Sequence, residues 1–264
     1  MEPIKIIQSR FVLFLSIVLT PLTSFSYTVL WDTSHGVFVP PGDVGDGYQP
    51  SGYYQTLTQH LVDNGFTVDT TSDGFLVDDP GEYDVIVVCL ASAYDSVYTP
   101  AEVERIANFV DDGGGLLLMG DQQFNPNANI QPVASQFGIG LGISTPVPDE
   151  IYTSDVASHP IFDGVGQIFM YIAGELSASE SASAVAWQEE TPYKPIVAVA
   201  QYGQGRVVAL GDCTLWTALE DHWDYFHEAD NPEFSLNSFN YLAVPEPGTV
   251  LLLGLGVVMV RRKR

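Results

Sequence analysis

The chain has 264 residues, 9 basic and 33 acidic side chains, a formal net charge of −24 and 46% apolar residues. So acidic a surface repels nucleic acid and anionic lipid, leaving cation binding or plain solubility as the readings of its charge. Two cysteines do not make the disulfide framework of a small secreted domain, and the length suits one domain with a large core or two small ones.

At the amino terminus, Lys5 and Arg10 precede an apolar stretch over 11–19, and Ser24-Phe25-Ser26 follows as a small-x-small site. This pattern predicts a signal peptide over 1–26, with Tyr27 the first residue after cleavage. A permanent amino-terminal anchor is disfavoured, because Pro21 and small polar residues follow so short an apolar core. The body, 27–244, keeps three basic residues, Arg105, Lys194 and Arg206, against 31 acidic ones, a net charge of about −28. Of the two cysteines, Cys89 lies in an apolar run where burial as a small hydrophobe is expected. A single bridge to Cys213 is permitted by export, but spacing does not establish it.

The first half of the body alternates strand and helix signals. Residues 27–31 read as a short strand, 51–64 as a helix with Tyr54, Leu57, Leu61 and Val62 on one face, stopped by Gly65, and 66–69 as a second strand. The continuous apolar run 84–91 is of the kind buried on both faces of a parallel sheet. Thr99 caps a helix with Pro100 at its first position and Glu102 at the positive end of the dipole. Gly113-Gly114-Gly115 ends that helix, and 116–119 form the next buried strand. The second half is richer in strands: 151–156, 168–173, 184–187, 195–202 and 206–210, the last two joined by a hairpin at Gly203-Gln204-Gly205. Asn231-Pro232-Glu233 opens a closing helix that presents Phe234, Leu236, Phe239, Tyr241 and Leu242. One α/β domain with a doubly wound, mainly parallel sheet and an additional strand-rich second half is the expected architecture.

After the body come Val244-Pro245-Glu246-Pro247-Gly248, an uncharged run to Val260, and Arg261-Arg262-Lys263-Arg264. Thirteen uncharged residues over 248–260 fall short of the roughly 20 that cross a bilayer comfortably. The terminal cations should remain cytoplasmic, which leaves the body outside. The segment resembles the PEP-CTERM sorting signal, made of a Pro-Glu-Pro motif, a short transmembrane helix and a basic tail. The resemblance implies sorting by an exosortase-type protease after a transient stay in the inner membrane, and delivery to the cell surface or an extracellular polysaccharide matrix.

A second resemblance rests on Val29-Leu30-Trp31-Asp32, Tyr83-Asp84-Val85-Ile86-Val87-Val88, Gly113-Gly114-Gly115-Leu116-Leu117-Leu118, the run from His159 to Val165, and Gly203-Gln204-Gly205 leading through Arg206-Val207-Val208-Ala209-Leu210 to Gly211-Asp212. Together these are similar to class I glutamine amidotransferase-like domains, of flavodoxin-like fold. Amidotransferases carry a nucleophilic cysteine on the turn after the fourth strand. Here that turn reads Gly120-Asp121-Gln122-Gln123-Phe124, so their Cys-His-Glu reaction has no nucleophile.

Open doubly wound sheets bind ligands beyond the carboxyl ends of their strands. Asp32 and His35, Ser92 and Tyr94, Asp121 and Gln122, and Asp212 fall at such ends. Asp32, His35, Asp121 and Asp212 make the main candidate ligand or metal site, and Asp43 and Asp46 lie on an acidic loop able to cover it. His222, Asp224 and His227 are a further set in the run 220–230, where helical geometry would let acid and imidazole share a face. That run matches no zinc spacing, calcium being the ion its carboxylates would suit, and a solvated loop is the commoner outcome. His159, before Pro160, reads as a turn residue. Trp31, Trp187, Trp216 and Trp223 supply a potential sugar-stacking surface, although core packing accounts for most aromatics. Two functions stay open: a non-catalytic exported ligand-binding or interaction module, and a metal-assisted hydrolase acting on a glycan or amide with those four residues as ligands.

Overall fold

The computed structural model describes residues 26–42, 46–123, 125–145, 148–189, 193–220 and 222–243. The expected signal peptide, the sorting segment with Pro245, Glu246, Pro247, Arg261, Arg262, Lys263 and Arg264, and the loop residue Asp43 lie outside the described residues, apart from the signal's last residue, Ser26. In chain order the elements are β1 (Tyr27–Asp32), α1 (Gln55–Asp63), β2 (Phe66–Thr71), β3 (Val85–Cys89), α2 (Pro100–Asp111), β4 (Gly115–Met119), α3 (Asn127–Gln136) and β5 (Ile139–Gly140). There follow β6 (Glu150–Thr153), β7 (Ile168–Tyr171), β8 (Ser177–Ala178), β9 (Ala182–Trp187), β10 (Pro195–Tyr202), β11 (Gly205–Leu210), β12 (Ala218–Leu219), β13 (Trp223–Asp224) and α4 (Asn231–Ala243).

Seven strands form one mixed sheet in the order β2-β1-β3-β4-β11-β10-β9. The first five are mutually parallel, and β10 and β9 extend the sheet antiparallel. Every residue of β3 and β4 is buried, as an all-apolar strand requires when helices cover both faces. Two helix pairs supply that cover, α1 with α4 and α2 with α3. The glycines predicted to end α2 also permit close approaches: a Cβ on Gly114 would meet the Phe109 ring of α2, and one on Gly115, the first residue of β4, would meet the Leu242 backbone of α4. The expected hairpin joins β10 to β11, with Gly203 in the left-handed region at φ +56°.

Helix α3 was not foreseen: no element was expected over 127–136, an asparagine-rich stretch with Pro126 and Pro132, yet Ile130, Val133 and Ala134 are buried and the helix packs against α2. The described part of the run 220–230 is not helical, in line with the commoner loop outcome: it carries the second strand of the β12–β13 hairpin, then turns. Asn231 opens α4, but its amide is committed elsewhere, bonding Phe169 on β7 and the carbonyls of Leu215 and Tyr225.

The chain runs from β1 outward to β2 and then back to β3 on the other side, so the sheet's switch point lies between β1 and β3. Loops leaving their carboxyl ends must part there, opening a crevice.

Candidate functional site

Two polar clusters occupy the carboxyl ends of the parallel strands. The first stands at the switch point. Asp32, the buried last residue of β1, accepts from the Ser34 N–H at 2.8 Å, which turns the chain, and from the Tyr98 hydroxyl. This turn delivers His35, whose ring lies flat on Tyr98 with centroids 3.9 Å apart. Its Nδ1 is 3.0 Å from Ser96 Oγ, its Nε2 is 3.0 Å from Glu102 Oε1, and Asp32 Oδ2 lies 3.9 Å from Nε2. Glu102 does double duty. Its other oxygen closes a capping box with the N–H and hydroxyl of Thr99, both at 2.7 Å. Burial opposes ionisation of Glu102, but the Thr99 hydrogen bonds and the neighbouring imidazole outweigh it and hold the carboxyl below its ordinary range.

The second cluster sits at the ends of β3, β4 and β11. Asp212 is fully buried, accepting from the N–H and hydroxyl of Thr214 at 2.6 Å each and from the Tyr171 N–H at 2.7 Å. Burial, then the charge of Asp121, push its pKa up to about 7. Asp121 accepts from the Gln122 N–H at 2.7 Å and faces the Cys213 thiol at 3.5 Å, and burial raises its pKa to about 6. Cys89 and Cys213 are free and buried. The Tyr54 hydroxyl stands between them, 3.2 Å from Cys89 Sγ and donating to the Cys213 carbonyl. Contact with Cys89, burial and the Asp121 charge push the Cys213 thiol well up, so it is no ready nucleophile. The Tyr48 hydroxyl is likewise pushed up, by burial and then by Cys213, Asp212 and Asp121.

The candidate residues thus separate into pairs. Asp32 meets His35, and Asp121 shares its field with Asp212, but among the described residues no three His, Cys, Asp or Glu side chains are grouped to hold an ion. The physical reason is local: Asp32 is turned to Ser34 and Tyr98, and Asp212 to the backbone of Thr214 and Tyr171. Asp46 is exposed and accepts from the Ser51 hydroxyl at 2.9 Å. Asp224 and His227 do pair, at 2.8 Å, on the exposed turn after β13, while His222 is exposed beside Trp223. His159 accepts weakly from the Ile161 N–H at 3.4 Å and packs edge-on against Tyr241, as a turn residue would. Sequence reasoning missed Ser96, Tyr98 and the second role of Glu102. Only the switch-point rule pointed at that loop.

Beside these clusters, the first turns of α1 and the β12–β13 hairpin enclose a groove of about 710 Å³, walled by Gln55, Thr56, Glu220, His222, Trp223 and Asp224. It continues past Gln55 and Thr56 into a second hollow of about 430 Å³, reached by Gln59, His60, Asp63 and His227. Trp223 is half-buried and fixed, its indole N–H donating to Thr217 Oγ1 at 3.1 Å and the Tyr53 ring meeting it edge-on at 5.3 Å. An aromatic band runs on from it through Tyr225 (6.4 Å, 21° between planes) to Tyr171 (5.0 Å, 19°). Another concavity, about 270 Å³ around Asp79, Arg105 and Gly113, lies at the opposite edge of the sheet.

The family description "PEP-CTERM protein-sorting motif" matches residues 243–264. No helix among the described residues is long and apolar enough to cross a membrane, and the expected short transmembrane helix of the tail lies outside them. No curated protein matches the sequence. Among solved structures, the mmIFT52 N-terminal domain is similar over 83% of this chain and 98% of its own, with TM-score 0.66 and 16% identity. A cytoplasmic protein from Salmonella typhimurium is similar over 82% and 98%, with TM-score 0.56 and 17% identity. An exo-β-1,4-mannosidase from Opitutaceae bacterium strain TAV5 aligns over 82% of this chain but 36% of its own, with TM-score 0.52 and 13% identity. Such likenesses are of fold, and they do not confirm the amidotransferase-like resemblance of the body. The chain is a mixed α/β body, with a mainly parallel central sheet, carrying a carboxyl-terminal sorting motif that indicates export.

Proposed function

We propose that the protein is an exported interaction module, sorted by an exosortase, that binds an extended neutral polysaccharide in the groove between α1 and the β12–β13 hairpin. The observation that carries this reading is the groove itself: an immobilised indole at its wall, planar polar side chains around it, and a continuation along α1. Sugars present an apolar C–H face that packs on an aromatic ring, and hydroxyls that pair with amides and carboxylates. An open, elongated groove suits a polymer better than a compact ligand. The body's charge of about −28 selects against uronates and sulfated glycans.

The turn after β4 offers no cysteine, and Cys213 is buried and protonated, so amidotransferase-type catalysis has no support in the site. Binding is tested by glycan array and calorimetry on residues 27–244, with calcium titrated in the same cell. Absence of binding to neutral glycans would defeat the reading. The sorting part is tested separately by mass spectrometry of the mature protein from its host. A carboxyl terminus near Val244 agrees with exosortase processing, whereas a stable surface population ending at Arg264 contradicts it.

A further inference from the structure

We propose that Ser96, His35 and Glu102 form a nucleophile, base and orienting group that cleave carboxylic esters. The geometry is a continuous hydrogen-bonded chain: Ser96 Oγ to His35 Nδ1 at 3.0 Å, and His35 Nε2 to Glu102 Oε1 at 3.0 Å. Its polarity is fixed. Glu102 is held ionised and can only accept, so Nε2 carries the proton; in the neutral ring Nδ1 is then the acceptor, and the Ser96 hydroxyl must donate to it. That is the arrangement in which an imidazole takes a proton from an attacking hydroxyl.

Burial is distributed as this chemistry requires. His35 is 7% exposed and clamped against Tyr98, Glu102 is mostly covered, and Ser96 is open to solvent. The two halves arrive from either side of the switch point, His35 from the loop after β1 and Ser96 from the loop after β3, where an open α/β sheet positions its chemistry. Asp32, 3.9 Å from Nε2, places a second carboxyl group near the side where the imidazolium proton resides, without a hydrogen bond to it.

In the reaction, Ser96 Oγ bonds to the ester carbonyl carbon and its proton passes to His35 Nδ1. The bond from carbonyl carbon to alcohol oxygen breaks, and the leaving oxygen takes that proton to depart as the alcohol. Water then attacks the acyl-serine, giving a proton to Nδ1. The bond to Oγ breaks, the acid leaves, and Ser96 recovers its proton. Glu102 stabilises the imidazolium in both steps.

A fluorophosphonate probe reacts with an activated serine and ignores one that merely fastens a loop. The test uses the full chain in detergent, with a fluorophosphonate as label and p-nitrophenyl acetate as ester. The proposal requires an adduct on Ser96 by peptide mass spectrometry, and hydrolysis reduced about 100-fold or more in Ser96→Ala and His35→Asn. Glu102→Gln can keep the capping box through its one amide oxygen, but its NH2 then faces Nε2 and drives the ring proton to Nδ1, so labelling should slow with little change in melting temperature. Ser96 is exposed, so Ser96→Ala folds normally. Absence of a Ser96 adduct, or hydrolysis by Ser96→Ala at the wild-type rate, would overturn the proposal.

Discussion

The two polar clusters share one edge of one sheet and are built in opposite ways. At the switch point both carboxylate oxygens of Asp32 and of Glu102 and both ring nitrogens of His35 meet fitting partners, and the cluster opens to solvent through Ser96. At the ends of β4 and β11, a fully buried carboxyl feels the charge of a half-buried one, with pKa values of about 7 and about 6, and two thiols and a tyrosine hydroxyl share the space. The first cluster is held by directional hydrogen bonds. The second is relieved by taking up protons as pH falls through about 7 and about 6. Breaking them should therefore give opposite results.

The largest effect is expected from Asp32→Ala, which strands the Tyr98 hydroxyl and the Ser34 N–H without their acceptor. A loss of about 2–4 kcal/mol in urea unfolding follows from leaving buried donors unpaired. A loss below about 1 kcal/mol would show that the switch-point cluster is not held as described.

Asp121→Asn should do the reverse at pH 8. A carboxyl whose folded pKa is raised adds stability that is complete below its unfolded value and lost as pH climbs through the folded one, here between about 4 and about 6. At pH 8 the ionised Asp121 is a liability, and Asn should gain roughly 1–2 kcal/mol, discounted for its partly exposed edge. The difference between wild type and Asp121→Asn should shrink as pH falls through about 6 and vanish by about pH 3, where the carboxyl is neutral in both folded and unfolded chains. Comparing the two proteins removes the general acid stabilisation that so negative a body also gains. A constant difference across that range would contradict a carboxyl whose pKa is raised by burial.

Thiol chemistry sharpens the same contrast. Cys89 and Cys213 are buried, and Cys213 is held as a thiol, so iodoacetamide should leave both unmodified in the native protein and alkylate both in urea. Rapid native alkylation of Cys213 would mean that the packing over this thiol opens. The smallest effect belongs to the exposed pair: His227→Ala should change stability by less than about 0.5 kcal/mol despite the 2.8 Å contact with Asp224.

Most of the fold was legible because apolar runs and breakers agree with one another. The strand 195–202 matches β10 end to end, and Thr99-Pro100-Ala101-Glu102 announced α2 at its first residue. Helix α3 was hidden by Pro126 and Pro132, whose local preference is overridden by packing of Ile130 and Val133. Asp32, His35, Asp121 and Asp212 were singled out by the rule that places ligands at strand ends, yet spacing along the chain cannot say which ends converge. Ser96 escaped because Asp95-Ser96-Val97 reads as an ordinary connector. What gives it meaning is a histidine 61 positions earlier, brought close only by the crossover between β1 and β3.

The groove tests the functional account most directly. Affinity of residues 27–244 for a soluble neutral polysaccharide, measured by calorimetry alongside Trp223→Ala, should fall about tenfold or more on losing the indole, equivalent to about 1.4 kcal/mol. Asp46→Asn, on an exposed loop residue that is not among those walling the groove, should bind as the wild type does. Equal affinity of wild type and Trp223→Ala, or binding confined to anionic glycans, would contradict it.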